Sequence, residues 1–219
     1  MLTYERVKND PAVNTYIIQA DEALLALGFT EHSLAHVTRT AETAHYILTA
    51  LGHPAREAEL AQIAGYLHDI GNLVNRVGHA QSGALMALPI LERLDATAEE
   101  AAAIVNAIGN HDEGAAAATT PIAAALILGD KADVRRSRVR NKDKVTFDIH
   151  DRVNYSAKRA SVKINEEKTL IKLKLTVDTR YCSIMDYFEI FLGRMLLCRK
   201  AAERLDLQFK LIINEQQLV

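Results

Sequence analysis

The stretch AGYLHDIGNLV, residues 64–74, places His68 and Asp69 side by side at the end of an apolar run. An unpaired carboxylate in an apolar setting is costly, whereas a carboxylate that neutralises a divalent cation is not. A metal site would therefore explain why the pair stands here. By itself, however, the pair is explained more simply as a local hydrogen-bonded pair at a fraying helix end.

Helical periodicity surrounds this stretch from about residue 14 to residue 133, with apolar residues at intervals of three and four. The pattern predicts helices over residues 12–27, 33–51, 55–70, 80–94, 98–110 and 121–135. Ser33 is expected to cap the second helix, and Thr97 with Glu100 forms a capping box at the start of the fifth. Pro89 is expected to kink or interrupt the fourth.

The sequence pattern changes after residue 135. The run RRSRVRNKDK, residues 135–144, is polar and basic and predicts a solvated loop. ASVKIN and TLIKLKLTV then alternate apolar and polar residues around NEEK, which is typical of a hairpin. A helix over 183–206 and a strand in LQFKLII complete a β-β-α-β order. We therefore expect a mainly α-helical bundle over residues 1–135, followed by a basic connector and a small α+β appendage over 136–219.

The predicted helix over 183–206 has a broad apolar face. Its members are Ile184, Tyr187, Phe188, Phe191, Leu192, Met195 and Leu196. Such a face must be covered. Either the appendage's own hairpin covers it, or a second copy does, in which case the protein is a homodimer through its C-terminal region.

The composition is that of an ordinary globular protein, with 49% hydrophobic and 25% charged residues. The sequence has no signal peptide and no apolar run of 18 residues, so we expect a cytoplasmic protein without a membrane partner. The net charge of −2 conceals an asymmetry: residues 1–130 carry 16 acidic and 6 basic side chains, whereas residues 131–163 carry 4 acidic and 11 basic. This favours a local anion site and makes nucleic-acid binding by the whole protein unlikely.

Further side chains with ligand chemistry lie at the ends of the predicted helices or on apolar faces. They are His36, His79, His111 and Asp130. Asp130 is a second acid without an obvious partner on an apolar stretch, so the burial argument made for Asp69 applies to it as well. His32, His45 and His53 occupy less favourable positions and are expected not to be ligands.

The order His36, His68-Asp69, Asp130 resembles the signature of the HD-domain metal-dependent phosphohydrolases. His79 and His111, which fall between, match the extended six-ligand signature of members with two metals. HVTRTAETA, LHDIGN and LGDKAD also resemble the family's motifs. The resemblance covers about residues 30–135 and does not extend to the C-terminal region.

The resemblance implies a helical HD fold and six metal ligands, namely His36, His68, Asp69, His79, His111 and Asp130. Asp69 would bridge two metals, and a hydroxide activated there would attack a phosphoryl group. Imidazole and carboxylate ligands suit one or two divalent transition metal ions, Fe, Mn, Ni, Co or Zn. The implied substrate is a small phosphorylated molecule, in the first place a nucleotide.

One departure from the family concerns the lysine that follows its HDIG motif, which is Asn72 here. Asn72 stays a candidate site residue, since an amide can orient water or a ligand, but it brings no charge. Arg39, Arg76 and Lys131 are candidates to bind phosphate in its place, although structural or solvated roles are equally open for each. The later cluster Arg135, Arg136, Arg138 and Arg140 is either an exposed loop or an anion-attracting rim.

Three functions remain open at this point. The first is a hydrolase that cleaves a phosphoester or phosphoanhydride bond. The second is a non-catalytic HD module for signalling or binding, and the third is a di-iron oxygenase on the same fold. Ligand type alone does not separate hydroxide chemistry from oxygen chemistry.

Overall fold

The computed structural model of the protein describes residues 1–113, 117–143, 147 and 149–217, without the side chains of His150 and Ile184. Part of the expected solvated loop and connector, at residues 144–146 and 148, lies outside this description. So does the expected contribution of Ile184 to an apolar helix face.

The N-terminal part of the chain is helical, as predicted. Its helices are α1 (Tyr4–Lys8), α2 (Pro11–Ala26), α3 (Leu34–Leu51), α4 (Ala55–Leu67), α5 (His79–Arg93), α6 (Ala98–Gly109) and α7 (Pro121–Ala132). Ser33 caps α3, and Thr97 and Glu100 form the expected capping box on α6. The expected interruption at Pro89 is wrong, because α5 continues through this residue.

Two helix ends differ from the sequence prediction in a way that matters for the site. The third predicted helix ends at Leu67, and a 3₁₀ turn over Ile70–Leu73 follows it. His68 and Asp69 therefore lie in the junction between two helical segments rather than inside one. The last predicted helix ends at Ala132, so Asp130 lies in its final turn.

The C-terminal part contains the predicted strands and helix. They are α8 (Ile149–Ser156), β1 (Ala157–Ile164), β2 (Leu170–Val177), α9 (Ile184–Arg204), β3 (Gln208–Ile213) and β4 (Gln216–Gln217). The hairpin β1–β2 is antiparallel, and β2 pairs in parallel with β3. Parallel pairing requires a crossover, which α9 provides. The β-β-α-β order is thus confirmed, with α8 and the short β4 as additions.

Most of the apolar face of α9 is covered within the chain. Tyr187, Phe191 and Met195 are at most 5% exposed, whereas Leu192 and Leu196 remain 53% and 42% exposed. The buried side chains of α9 belong to the same continuous cluster as those of α3, α4, α6 and α7. The helical region and the appendage therefore share a core. The boundary at 135/136 and a homodimer through this region stay predictions.

Among the described helices, none is long and apolar enough to span a bilayer.

The basic run after α7 is not the solvated loop that its composition suggests. Arg135 pairs with Glu31 at 2.9 Å, and Arg140 pairs with Asp21. Arg138 is buried and donates from Nε to the backbone carbonyl of Glu31. These cations are drawn to the acidic N-terminal region, so the run is an integral part of the fold.

Close approaches at two glycines bring three helices together beside the site. A Cβ at Gly65 of α4 would lie 2.7 Å from Ala41 Cα, and a Cβ at Gly129 of α7 would lie 2.8 Å from Thr40 O. Both contacts are on α3, and real Cβ atoms are essentially never this close to a neighbour. Gly65 and Gly129 stand just before residues predicted as ligands, so the close packing also brings those residues towards His36 on α3.

Candidate metal centre

All six predicted metal ligands converge in one buried cluster. His36 lies in the first turn of α3, and His79 is the first residue of α5. His68 and Asp69 lie in the junction after α4. His111 follows α6, and Asp130 lies in the last turn of α7. The four histidines are at most 2% exposed, and Asp69 is 5% exposed. Residues up to 94 positions apart in the sequence thus share one site.

One half of the cluster is formed by His36, His68 and Asp130. Their candidate ligand atoms all lie within 4.8 Å of one another. Asp130 Oδ1 is 3.3 Å from His36 Nε2 and 3.7 Å from His68 Nε2. Asp69 Oδ2 closes this half at 3.5 Å from His36 Nε2 and 3.2 Å from His68 Nε2.

The other half is built around the second oxygen of Asp69. Asp69 Oδ1 is 3.6 Å from His79 Nε2, which in turn lies 3.2 Å from His111 Nε2. His68, Asp69 and His111 also form a second group whose ligand atoms lie within 4.8 Å of one another. Asp69 therefore directs one carboxylate oxygen towards each half, as a bridging ligand would.

The hydrogen bonds of the four histidines fix the nitrogen that faces the centre. In three rings Nδ1 donates to a backbone carbonyl. The bonds are His68 Nδ1 to Gly65 O (2.8 Å), His79 Nδ1 to Arg76 O (3.0 Å) and His111 Nδ1 to Ile108 O (2.7 Å). In His36, Nδ1 lies 2.8 Å from Asp133 Oδ2. A carbonyl only accepts, so Nδ1 must carry the hydrogen in the first three rings. Nε2 is then the atom of each ring that is left to face the cluster, and it is the atom available to bind a metal.

Several buried polar atoms in this centre lack a hydrogen-bond partner among the described residues. They are His36 Nε2, His68 Nε2 and Asp69 Oδ2. Buried polar atoms are normally satisfied, so their convergence requires an explanation. His79 and His111 add a second reason, because their Nε2 atoms are 3.2 Å apart. Burial lowers the pKa of His79 and lowers that of His111 to about 3. Both rings are therefore neutral, and their lone pairs face each other.

A cation resolves both problems. Metal–nitrogen bonds are about 2.0–2.1 Å long, so one ion can contact both of these Nε2 atoms. Imidazole nitrogens mixed with carboxylate oxygens suit divalent transition metals better than Mg²⁺ or Ca²⁺. The residues present therefore fit the predicted metal site, and the number and identity of the ions stay predictions.

The electrostatics of the cluster also favour positive charge at its centre. Burial alone would raise the pKa of Asp69, but His68 and the other histidines hold it well below its usual value. Burial and Arg138 lower the pKa of His36, but the carboxylates of Asp130, Asp133 and Asp69 outweigh them and raise it to about 9. In the metal-free protein these acids thus hold a proton on His36. A metal cation would supply the positive charge that these carboxylates otherwise obtain from the proton.

Asn72, which stands where the family has a lysine, holds the side chain of Asp69 in place. Its Nδ2 donates to Asp69 Oδ1 at 2.9 Å and to Asp69 O at 3.0 Å. Arg76 Nη1 donates to Asn72 Oδ1 at 3.3 Å and lies 3.4 Å from His79 Nε2. Of the predicted phosphate-binding residues, Arg76 is therefore the one placed at the edge of the centre.

Lys131 is buried and engaged by acids. Its Nζ lies 2.7 Å from Asp130 Oδ2 and 3.4 Å from Glu113 Oε1. Burial lowers the pKa of Lys131, but these carboxylates raise it above its usual value, so the side chain is charged. Lys131 thus orients Asp130, and its charge is already balanced.

Arg39 lies away from the cluster. It is exposed and lines a separate groove with Asp133, Val134 and Ser161. This groove lies on the side of Asp133 that faces β1 rather than the ligand atoms. The structure therefore does not bring Arg39 together with the other predicted site residues.

A cavity of about 270 Å³ lies beside the centre. Arg76, His32 and Phe29 line it from the N-terminal region, whereas Phe191 and Arg194 line it from α9. No sign of Arg194 is present in the sequence, because it is more than 100 positions from most of the ligands and no local spacing marks it. His32 was considered only as a metal ligand and set aside, although it precedes His36 by four residues and its ring packs edge-on against that of His36 at 5.5 Å.

Asp133 fixes the ring of His36, and its replacement gives a first prediction. In an Asp133→Asn variant, the acceptor for His36 Nδ1 is weakened, and we expect metal affinity to fall by about 10- to 100-fold. Titration of the metal-free protein with Mn²⁺ or Zn²⁺ measures this. Asp95→Asn, at a surface carboxylate that pairs with Arg6, is the control and is expected to keep wild-type affinity. Equal affinities in both variants would contradict the role of Asp133.

Comparison with known proteins identifies the family of the chain. The family model of the HD domain matches residues 33–189, which is well over half of the sequence. The chain therefore belongs to the HD-domain family, which confirms the resemblance. The match continues past residue 135 into the C-terminal region.

The chain is also similar to two other proteins. The uncharacterized protein MJ1020 of Methanocaldococcus jannaschii is 26% identical over 192 residues, which cover 77% of this chain and 74% of that protein. The crystal structure of a predicted HD superfamily hydrolase from an uncultured Thermotogales bacterium matches with a TM-score of 0.45 and 24% identity. That match covers 57% of this chain and 67% of the other.

Proposed function

We propose that this protein is a metal-dependent phosphohydrolase that cleaves a phosphoester or phosphoanhydride bond in a small nucleotide. The observation that carries the proposal is the convergence of four imidazole Nε2 atoms on Asp69 and Asp130, with buried polar atoms left unpaired. Membership of the HD-domain family supports it.

His36, His68, Asp69 and Asp130 would hold one ion, and Asp69, His79 and His111 a second. Divalent ions bound there supply positive charge that makes water a nucleophile near neutral pH and stabilises charge on a phosphoryl group. The remaining chemistry falls to residues of the chain around the ligands.

These residues position and neutralise rather than react. Asn72 fixes the rotamer of Asp69, and Lys131 fixes that of Asp130. Arg76, at the edge of the centre and lining the cavity, is placed to bind a phosphoryl oxygen of the substrate. The walls of the cavity limit access of bulk water, which strengthens these interactions.

Hydrolysis of simple phosphoesters tests the proposal. Protein loaded with Mn²⁺, Fe²⁺, Co²⁺, Ni²⁺ or Zn²⁺ is assayed with p-nitrophenyl phosphate, bis(p-nitrophenyl) phosphate and a panel of nucleotides. We expect turnover that a chelator abolishes and that added metal restores. An Asp130→Ala variant should be inactive, and Asp95→Asn should match the wild type.

Two results would overturn the proposal in favour of an alternative. Protein that binds metal, hydrolyses no member of the panel and consumes oxygen with a phosphonate or polyol would be an oxygenase. Protein that binds no metal under any of these conditions would be a non-catalytic module.

A further inference from the structure

We propose that α9 completes the substrate site: Arg194 and Arg76 together bind a second anionic group, so the substrate is a compact molecule with a diphosphate group or two neighbouring phosphates. This inference rests on the proposed function for the identity of the scissile group. The anion site itself depends only on the residues that line the cavity.

The cavity lies between residues beside the metal centre and the C-terminal region. Arg76 lines it and lies 3.4 Å from His79 Nε2, so one part of the wall is next to the centre. Phe191 and Arg194 of α9 form another part. A molecule bound in this cavity therefore contacts both Arg76 and a helix outside the region in which the family motifs lie.

The charge of the cavity favours more than one anionic group. Three guanidinium groups line it, from Arg76, Arg138 and Arg194, and among the described lining residues Asp151 is the only acid. A single phosphoryl group at the centre would be neutralised by the ions and Arg76. Arg194 lies further along the wall, and although Glu113 pairs with its Nε, its guanidinium group adds to the positive potential that would attract a second anion of the ligand.

Arg194 is the cation best placed for that second anion. Arg138 is 5% exposed, and its Nε and Nη1 donate to the carbonyls of Glu31 and Asp133. The side chain of Arg194 is 28% exposed, and its Nε lies 2.8 Å from Glu113 Oε1. Within the described part of the chain, its two terminal nitrogens have no hydrogen-bond acceptor. They are the donors that bind phosphate in a bidentate manner.

Aromatic rings hold both arginines at the cavity. The guanidinium carbon of Arg194 lies 4.8 Å from the ring centre of Phe191, and that of Arg76 lies 5.7 Å from the ring centre of Phe29. Such contacts orient a guanidinium group without using its hydrogen-bond donors. The volume of about 270 Å³ is slightly below the range of about 300–1,000 Å³ that is typical of ligand sites. This favours a compact ligand over a dinucleotide.

Binding of inorganic pyrophosphate and inorganic phosphate to the metal-loaded protein tests the inference without requiring turnover. In Arg194→Gln we expect calorimetry to show pyrophosphate binding weakened by about 10- to 100-fold, as for loss of hydrogen bonds to a charged group. Phosphate binding should change by less than about threefold. Arg199→Gln is the matched control, because Arg199 is on the same helix and 52% exposed, and it should bind both anions as the wild type does.

A second, more conservative variant keeps the inference testable if Arg194→Gln does not fold. Arg194→Lys keeps the charge but not the bidentate donors, so pyrophosphate affinity should lie between those of the wild type and Arg194→Gln. Thermal melting checks that the variants are folded. If Arg194→Gln does not fold, the comparison of Arg194→Lys with wild type decides, and an unchanged pyrophosphate affinity overturns the inference.

The remaining outcomes separate this inference from the proposed function. Unchanged pyrophosphate binding in Arg194→Gln, or equal weakening of phosphate and pyrophosphate, would overturn the second anion site even if the protein is a hydrolase. Selective loss of pyrophosphate binding in a protein that hydrolyses no phosphoester would support the anion site and refute the hydrolase.

Discussion

An Asp69→Asn variant is expected to lose at least one metal ion per chain and to lose phosphoesterase activity by about 1,000-fold or more. The carboxylate of Asp69 has an oxygen near each half of the cluster, at 3.2 Å from His68 Nε2 and 3.6 Å from His79 Nε2. An amide cannot supply two anionic oxygens. Loss of metal charge at the phosphoryl group costs several kcal/mol, and about 4 kcal/mol corresponds to about 1,000-fold in rate.

Elemental analysis and kcat/KM measurements on the same preparation test this prediction. Asp95→Asn removes a carboxylate from the surface and should leave both quantities unchanged. A folded Asp69→Asn protein that retains full metal content and activity would show that Asp69 is not a bridging ligand.

A Gly71→Ala variant is expected to be destabilised by about 3 kcal/mol or more and to lose binding at the His79 half of the centre. The added Cβ would collide with two backbone atoms, the carbonyl oxygen of His79 and the amide nitrogen of Gly83. Helix α5 must therefore shift away from the 3₁₀ turn. Overpacking a tight contact costs about 1–3 kcal/mol, and a collision with backbone belongs at the upper end of that range or above it. His79 begins α5, so the shift moves a ligand.

Urea unfolding and metal titration measure the two effects. Gly193→Ala is a matched control on α9, where an added Cβ meets no atom within 4 Å. In a helix interior this change is neutral or stabilising by up to about 1 kcal/mol. A Gly71→Ala protein as stable as the control would show that the turn and α5 are not packed as described.

The six side chains that converge in the cluster could be chosen from the sequence because the choice depends on residue type and order. Buried carboxylates such as Asp69 and Asp130 have no reason to occur on apolar stretches unless a cation neutralises them, and this signal is present in the sequence itself. Helix caps at Ser33 and Thr97 are equally local, and they were also found.

What could not be predicted depends on contacts between distant segments. Arg135 and Arg140 look solvated in the sequence, but each meets an acid about 100 or more positions earlier. Arg194 looks like an ordinary residue of an amphipathic helix, and only the crossover between β2 and β3 places that helix against the cavity. Pairing over such separations leaves no periodic signal.

The position of Arg39 has the same origin. Arg39 follows His36 by one turn of α3, but its side chain is exposed and lines a separate groove. Arg76 follows Asn72 by one turn and donates to its Oδ1. Spacing along the sequence therefore does not by itself distinguish a cation beside the centre from one that lies away from it.

The most direct test is a crystal structure of the protein purified without chelator, with anomalous scattering recorded at the absorption edges of Mn, Fe, Co, Ni and Zn. We expect two transition-metal peaks, each in contact with Asp69. One should lie between His36, His68 and Asp130, and the other beside His79 and His111. A map with no anomalous peak among these side chains, in protein supplied with these metals, would contradict this expectation.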